Sequence, residues 1–585
     1  MKFVVALLTV WLTVLAAAQE YGSCTASQAK SGESCAEFEV RKTVQLQQGL
    51  IEGARLEAEG GGFFYGFKNI PFAKPPVGEL RFKEPQPAGA WAGVRNGSLP
   101  MPKCPQFGLA MFKGGEVTVE GEEDCLHLSV FTPRPYASDL PVMVWIHGGG
   151  FVFGGAEDYK PYALVAKDVV VVLIQYRLGT LGFLSTEDSE LPGNLGLQDQ
   201  TLALRWVKDN IRDLGGDPDK VTLFGESAGG ASVHFHVLSP MSEGLFRRAI
   251  MQSGTMLCPW AMREGHRGVA AKLAEVLSCS GVTVAPVLDS AALLSCLRGA
   301  SAEQLIMAQS AFNIWGFAPQ VMLPRVDGLF LPDHPATLLR EGRYNKVDII
   351  SGVTRNEGTI VTAMTLLNPD FPELMLQNFS VAGPLEGGFD QEENPEYLAR
   401  RAYHHYLGSP LQFTMEKAEE YTQLHTDHMF GMCHLDVVKH HLREEAYGHR
   451  VFTYELQHRG EFTLMDLFMG PSEIGKEWVG HGDDIQYLFE AIMDNFTLTR
   501  QEDLLVKQIM VDLWTSFAAT GHPTPDLSLG FRWDPTTKDR DSYLAITPAP
   551  DMRTFGNHAA QRFWRNMPTK ANKLMYPQRF SRCLG

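Results

Sequence analysis

The sequence predicts one large α/β domain, with a mostly parallel central sheet and helices on both faces. Three observations point there. Six short apolar runs rich in β-formers recur along the chain: Pro141 to Ile146, Val169 to Gln175, Val221 to Phe224, Arg248 to Gln252, Val347 to Gly352 and Val451 to Leu456. Helical periods lie between several of them, as at Leu202, Leu204, Trp206 and Val207 ahead of Gly215-Gly216. One run leads straight into Gly225-Glu226-Ser227-Ala228-Gly229-Gly230 and then a helix-like stretch from Ala231 to Leu238. Strand, sharp glycine turn and helix together describe a nucleophile elbow, with Ser227 raised at its tip. In a sheet of this kind the ligand site lies at the carboxyl ends of the strands.

Taken in order, the chain opens with Lys2, the apolar run Phe3 to Ala17 and the small residues Ala16-Ala17-Ala18, the pattern of a secretory signal peptide spanning residues 1–18. No later stretch is apolar enough to span a bilayer, and Phe580 to Gly585 shows neither a lipid-anchor tail nor a retention signal. The expectation is a secreted protein with no membrane anchor. Residues 19–585 hold no internal repeat or low-complexity linker, so they read as a single domain. A formal charge of −17 with no basic run to offset it disfavours nucleic acid as a partner. Export makes the sequons at Asn96, Asn378 and Asn495 usable for glycosylation.

Nine cysteines in an exported chain suggest disulfides with one thiol left over. Spacing alone leaves the connectivity open. No CxxC or paired Cys/His spacing suggests a metal, and the histidine-rich stretch from His425 to His449 reads as a solvated helix face.

The short glycine-broken runs Val44 to Leu46, Gly53 to Ala58 and Phe63 to Phe67 predict an antiparallel start to the sheet. At the end of the run Val142 to Ile146 stands His147-Gly148-Gly149-Gly150-Phe151. Unobstructed backbone N–H groups are what a developing oxyanion needs, so Gly149 and Gly150, with the amide of Ala228, are the expected oxyanion hole. His147 precedes the nucleophile and reads as structural. In chain order an acid and then a histidine should follow Ser227. Glu357, on the turn after Val347 to Gly352, and His481, between Gly480 and Gly482, are suitably placed, though each is one of many such residues by spacing alone.

The stretches Ile70 to Gly78 with Arg81-Phe82, Glu123 to Leu126, His147 to Phe151, Gly193 to Gln200, Gly225 to Gly229, Gln252 to Gly254, Asn356 to Gly358 and Gly480 to Asp484 decide between these candidates. In content and order they resemble the type-B carboxylesterase family, which includes the cholinesterases and arthropod esterases, over nearly the whole mature chain. The resemblance implies an α/β-hydrolase fold and a small-molecule ester as substrate, with no metal or organic cofactor. It also implies Ser227 as nucleophile, His481 as general base and acid, and Glu357 as the carboxylate that orients the imidazole. By the same resemblance, Arg81 with Glu123 and Arg177 with Asp199 are structural ion pairs, and Cys104 with Cys125 and Cys279 with Cys296 are loop-closing disulfides. Cys258 resembles a buried free thiol, and Phe151, Trp260 and Phe317 are expected in the substrate pocket, the last two on its acyl side.

Departures narrow the substrate. Residues 105 to 124 contain Phe107 and Phe112 but no tryptophan to bind a quaternary ammonium, which argues against acetylcholine. Trp478 stands three positions before His481, where many relatives have glycine; it either reshapes the pocket or packs on the surface. Gly482-Asp483-Asp484 resembles arthropod esterases, including juvenile-hormone-esterase-like members, yet Glu226 replaces the glutamine frequent in hormone hydrolases. The expected activity is therefore hydrolysis of lipophilic, xenobiotic or hormone-like esters. A non-catalytic binding or adhesion protein, or an ester-sequestering one, is the alternative.

Overall fold

The apolar runs become strands because β-branched and aromatic side chains suit a surface buried on both faces. The computed structural model describes residues 41–581 except 59, 109–115, 137–138, 285–286, 367, 467–474 and 491–496. The leader at 1–18, Cys24, Cys35, Phe112, Asn495 and Cys583 lie outside the described residues. From Thr43 to Gly585 the chain clusters as one compact unit.

The large sheet contains β1 (Arg41–Leu46), β2 (Gly49–Glu57), β3 (Phe63–Pro71), β4 (Val94–Asn96), β5 (His127–Thr132), β6 (Leu140–Ile146), β7 (Val170–Ile174), β8 (Gly216–Glu226), β9 (Arg248–Gln252), β10 (Asp348–Thr354), β11 (Val451–Leu456), β12 (Ser542–Ile546) and β13 (Asp551–Thr554). Their spatial order is β1-β2-β3-β5-β7-β6-β8-β9-β10-β11-β12-β13, with β4 beside β2. Pairing is parallel from β7 through β12 and antiparallel where β2, β3, β5 and β7 meet and where β12 meets β13. This is the α/β-hydrolase architecture that the sequence predicts, with β4, β5, β12 and β13 added to the expected strands.

Alternation along each strand divides the core in two. Val142, Val144, Ile146, Val170, Val172 and Ile174 face one cluster, together with apolar residues of α1 (Leu195–Asn210) and α2 (Ala228–Leu238). Met143, Trp145, Val171 and Leu173 face the other, with Val506, Met510, Leu513, Trp514 and Phe517 on its far side. A third cluster lies among helices inserted after β10: α3 (Thr359–Leu366), α4 (Phe379–Glu386), α5 (Pro395–Leu407), α6 (Ala418–His425) and α7 (Met432–His441).

Register gathers the strand ends that matter. Ile146 pairs with Gly225, Glu226 with Gln252, and Gln252 with Gly352, so the loops after β6, β8, β9 and β10 open on one edge of the sheet. Behind that edge Asp199 is buried and accepts from the Arg177 backbone N–H at 3.0 Å and from its guanidinium at 2.8 and 2.7 Å. Arg81 pairs with Glu123 and donates to Ala300 O at 2.6 Å, tying distant loops together. Among the described residues no helix is long and apolar enough to cross a membrane.

Candidate active site

Ser227 sits between the last residue of β8 and the first of α2 with φ 57° and ψ −123°, a strained conformation for a non-glycine residue. The turn closes this tightly because Gly229 lets α2 press onto β6, where a Cβ would lie 2.0 Å from Ile146 O. Ser227 N–H donates to Gln252 O at 2.9 Å, which binds the elbow to the end of β9.

The glycine loop after β6 lies beside it. Gly149 has φ 104°, and a Cβ there would approach Phe153 O to 2.0 Å. Its carbonyl accepts from the N–H groups of Val152 and Phe153, each at 3.0 Å, which holds the loop in a tight curl. The N–H groups of Gly149, Gly150 and Ala228 have no hydrogen-bond partner among the described residues. His147 is buried and stacked on Tyr176 with ring centroids 4.4 Å apart. Burial holds its pKa down at about 4, so it is a neutral structural group.

Glu357 and His481, 124 residues apart in sequence, meet with Oε2 2.6 Å from Nδ1. Two backbone braces bring them together. Asn356 N–H donates to Val479 O at 2.9 Å while its Oδ1 accepts from Val479 N–H at 3.1 Å. On the other side, Asp483 accepts from Gly480 N–H at 2.7 Å and from Thr463 Oγ1 and Leu464 N–H at 2.8 Å each. Asp484 accepts from Gln252 Nε2 at 2.9 Å and Tyr454 OH at 2.8 Å, tying the His481 loop to β9 and β11. Glu357 is itself aimed by Thr354 N–H, 2.7 Å from its Oε1.

A second carboxylate approaches the other ring nitrogen, with Glu226 Oε1 3.2 Å from His481 Nε2. Burial pushes the pKa of Glu226 up, and the neighbouring Asp484 and Glu357 add to this against the pull of His481. Burial alone would lower the imidazole, but Glu226 and Glu357 outweigh it and raise its proton affinity. His481 is also packed against the Phe430 ring, centroids 4.6 Å apart.

Gly149, Gly150, Ser227 and His481 line a cavity of about 300 Å³ whose other walls include Trp260, Trp315 and Phe317. It shares Phe317, Ile360, Met364 and Phe371 with a neighbouring cavity of about 840 Å³. Lys103 and Asp158, 2.9 Å apart, lie on its polar side. The arrangement offers a hydroxyl, an imidazole aimed by a carboxylate, free backbone donors and apolar walls.

Comparison with known proteins fits that chemistry. Residues 40–564 match the Carboxylesterase family. The chain belongs to the carboxylesterase family. This esterase is 33% identical to venom carboxylesterase-6 of Apis mellifera over 549 residues, 90% of this chain and 94% of the relative. It is 33% identical to juvenile hormone esterase of Tribolium castaneum over 545 residues, covering 90% and 91%. With cocaine esterase of Homo sapiens it shares 35% identity over 554 residues, covering 91% and 92%. Family membership makes it a carboxylic ester hydrolase.

Several expectations about the esterase need correction. Phe151 does not line the cavity; it is fully buried, packed on Phe183 with centroids 5.1 Å apart, and Phe153 takes the place at the wall. Cys258 is not a free thiol, because α7 delivers Cys433 to it and the two form a disulfide spanning 175 residues. The described residues also contain the Cys104–Cys125 and Cys279–Cys296 disulfides. The stretch from His425 to His449 is not a solvated face: His425, His434, His440 and His441 are buried against the sheet and neighbouring helices. Trp478 stands outside the cavity lining and donates to Glu419 Oε2 at 2.7 Å. Asn96 and Asn378 are exposed.

The sequence reading passed over Trp315, Phe430 and the Glu226 contact with His481. Phe430 lies in the π-helical turn Thr426–Gly431, a local geometry frequent at functional sites but carrying no sequence mark. Glu226 was visible as the residue before Ser227, and only the folded loops reveal what it faces.

Proposed function

We propose that the protein is a secreted serine carboxylesterase working through an acyl-enzyme. Ser227 is the nucleophile, His481 the general base and acid, and Glu357 the orienting carboxylate. The observation that carries this reading is the 2.6 Å contact of Glu357 with His481 Nδ1 in the cavity that Ser227 also lines. With Nδ1–H donated to Glu357, Nε2 is left as the base that takes the proton from Ser227 as its oxygen attacks the ester carbonyl. The Gly149, Gly150 and Ala228 amides then bind the oxyanion. His481 returns the proton to the departing alcohol, and water, activated by the same imidazole, hydrolyses the acyl-enzyme. These steps need no metal or cofactor.

Apolar walls favour lipophilic esters, with Trp260 and Phe317 on the acyl side. The relatives named juvenile hormone esterase and cocaine esterase make hormone-like and xenobiotic esters the first substrates to test. The leader-like N-terminus, the disulfides and the exposed sequons at Asn96 and Asn378 support secretion and glycosylation.

The deciding experiment compares wild type with Ser227→Ala on a chromogenic short-chain ester. Turnover should fall by about three orders of magnitude or more. Near-normal steady turnover in the variant would sink the assignment, and a stoichiometric wild-type burst without turnover would favour ester sequestration.

A further inference from the structure

Glu386, the last residue of α4, is a buried carboxylate in the wall of the cavity. Its Oε1 accepts from Thr365 Oγ1 of α3 at 2.6 Å and from Trp315 Nε1 at 3.3 Å. Its Oε2 accepts from the hydroxyl of Tyr403 on α5 at 2.8 Å and from that of Tyr421 on α6. Four donors thus converge on one carboxylate from four parts of the chain.

Among the described residues no protonated base balances it. Among the described residues, the basic side chain within ion-pair distance is His425, with Nε2 at 3.8 Å, and burial lowers the pKa of that imidazole to about 3. A buried carboxylate without a cation is costly, and it is tolerated only where its lone pairs are filled. Three of the four donors belong to helices: α3, which lines the cavity, and α5 and α6, which do not. The fourth, Trp315, is not on a helix. It sits on the loop that also carries Phe317, and its ring packs against Phe371 with centroids 5.0 Å apart, all three residues lining the cavity. The bond to Trp315 therefore couples the helices to the aromatic part of the wall that Trp315, Phe317 and Phe371 form.

We propose that Glu386 is a positioning residue which, through Trp315, fixes one wall of the cavity and thereby sets the acyl-chain preference of the esterase. The inference rests on the reading above, in which Ser227 is the nucleophile and the Phe317 side takes the acyl group. It assigns Glu386 no contact with the reacting atoms.

The test compares kcat/KM for p-nitrophenyl decanoate and p-nitrophenyl acetate in the full-length protein: wild type, Trp315→Phe, Glu386→Gln and the double variant, with Ser227→Ala alongside. Trp315→Phe keeps an aromatic ring and the other three donors to Glu386, so it carries the test even where Glu386→Gln folds poorly. The decanoate-to-acetate ratio should fall about tenfold in each single variant, the scale of a misplaced apolar contact. In the double variant it should fall no further, since both changes cut one tether. A ratio within about twofold of wild type, whatever happens to total activity or stability, would show a purely structural network and overturn the proposal. Multiplying effects in the double variant would also overturn it, by assigning the two residues to separate devices. Full turnover by Ser227→Ala would overturn the underlying esterase reading instead, and is distinguished because it concerns absolute rate and not the ratio.

Discussion

On the strand-end floor of the cavity, Ser227 and Gly149 are held by backbone conformation and by close backbone contacts, Ser227 N–H to Gln252 O and Gly229 against Ile146 O among them, whereas the wall from Trp315 to Phe430 is held by buried side chains brought from distant segments. The floor is intolerant atom by atom, because carbonyls of Ile146 and Phe153 occupy the space where a Cβ would go. The wall instead depends on groups whose burial fixes their chemistry: Glu386 with the neutral His425 beside it, and the Cys258–Cys433 bridge. A floor of this kind can keep one chemistry while the wall changes the substrate. On the proposed function, this contrast is a division of labour between catalysis and selectivity.

Breaking the floor should have the largest effect. Gly149→Ala forces a methyl group against Phe153 O on a left-handed backbone and shifts the amide proposed as an oxyanion donor, so kcat should fall about 10²–10³-fold and the strain should also lower the urea midpoint. A kcat within threefold of wild type would remove Gly149 from the oxyanion hole.

Cutting the wall should act first on stability. Converting both Cys258 and Cys433 to serine releases a bridge across 175 residues and should cost about 2–5 kcal/mol in denaturant unfolding. Unchanged stability would show that the wall is held without it.

Helix α7, which supplies Cys433 to that bridge, should respond to acid. His441 Nε2 lies 3.1 Å from His234 Nε2, a contact in which one nitrogen must accept, and burial holds His441 well below its ordinary value. Because the folded pKa lies below the unfolded one, the unfolded chain binds the extra proton. Stability is therefore unaffected above about pH 6.5 and is lost as pH falls below that value. His441→Gln should flatten the fall in unfolding free energy between pH 6.5 and 5 by up to about 1.4 kcal/mol per pH unit. An unaltered slope would mean that His441 is already protonated in the fold.

The smallest effect sharpens the boundary between the regions. Glu226 raises the proton affinity of His481, so Glu226→Gln should move the acidic limb of the kcat/KM profile down by about one pH unit. A limb that stays in place would show that Glu357 alone governs the imidazole.

The floor was largely legible in the sequence. Gly225 to Gly229 after the run Val221 to Phe224, and His147 to Gly150 after Val142 to Ile146, carry their geometry in residue type, because only glycine permits those approaches. The parallel strands were legible for a similar reason, since a strand buried on both faces is a continuous apolar run. Strands β4, β5, β12 and β13 were missed: β4 is three residues long and largely exposed, β5 includes His127, Ser129 and Thr132, and the other two sit at the sheet's end with mixed polarity.

Glu357 and His481 could be singled out only through motif resemblance, because nothing local distinguishes them from other acids and histidines until Asn356, Val479 and Asp483 fold the two loops together. Phe151 against Phe153, and the burial of the histidines from His425 on, were settled by packing, since a shift of two positions along a loop or a rotation about a helix decides which side chain meets the cavity or solvent. The Cys258–Cys433 bond depended on where α7 lies, which cysteine spacing does not encode. Sequence determined what short-range backbone geometry can specify, the elbow, the glycine loop and the sheet. Tertiary structure decided which distant side chains share a low-dielectric space, and therefore which carboxylates face His481 and which residues shape the wall around the substrate.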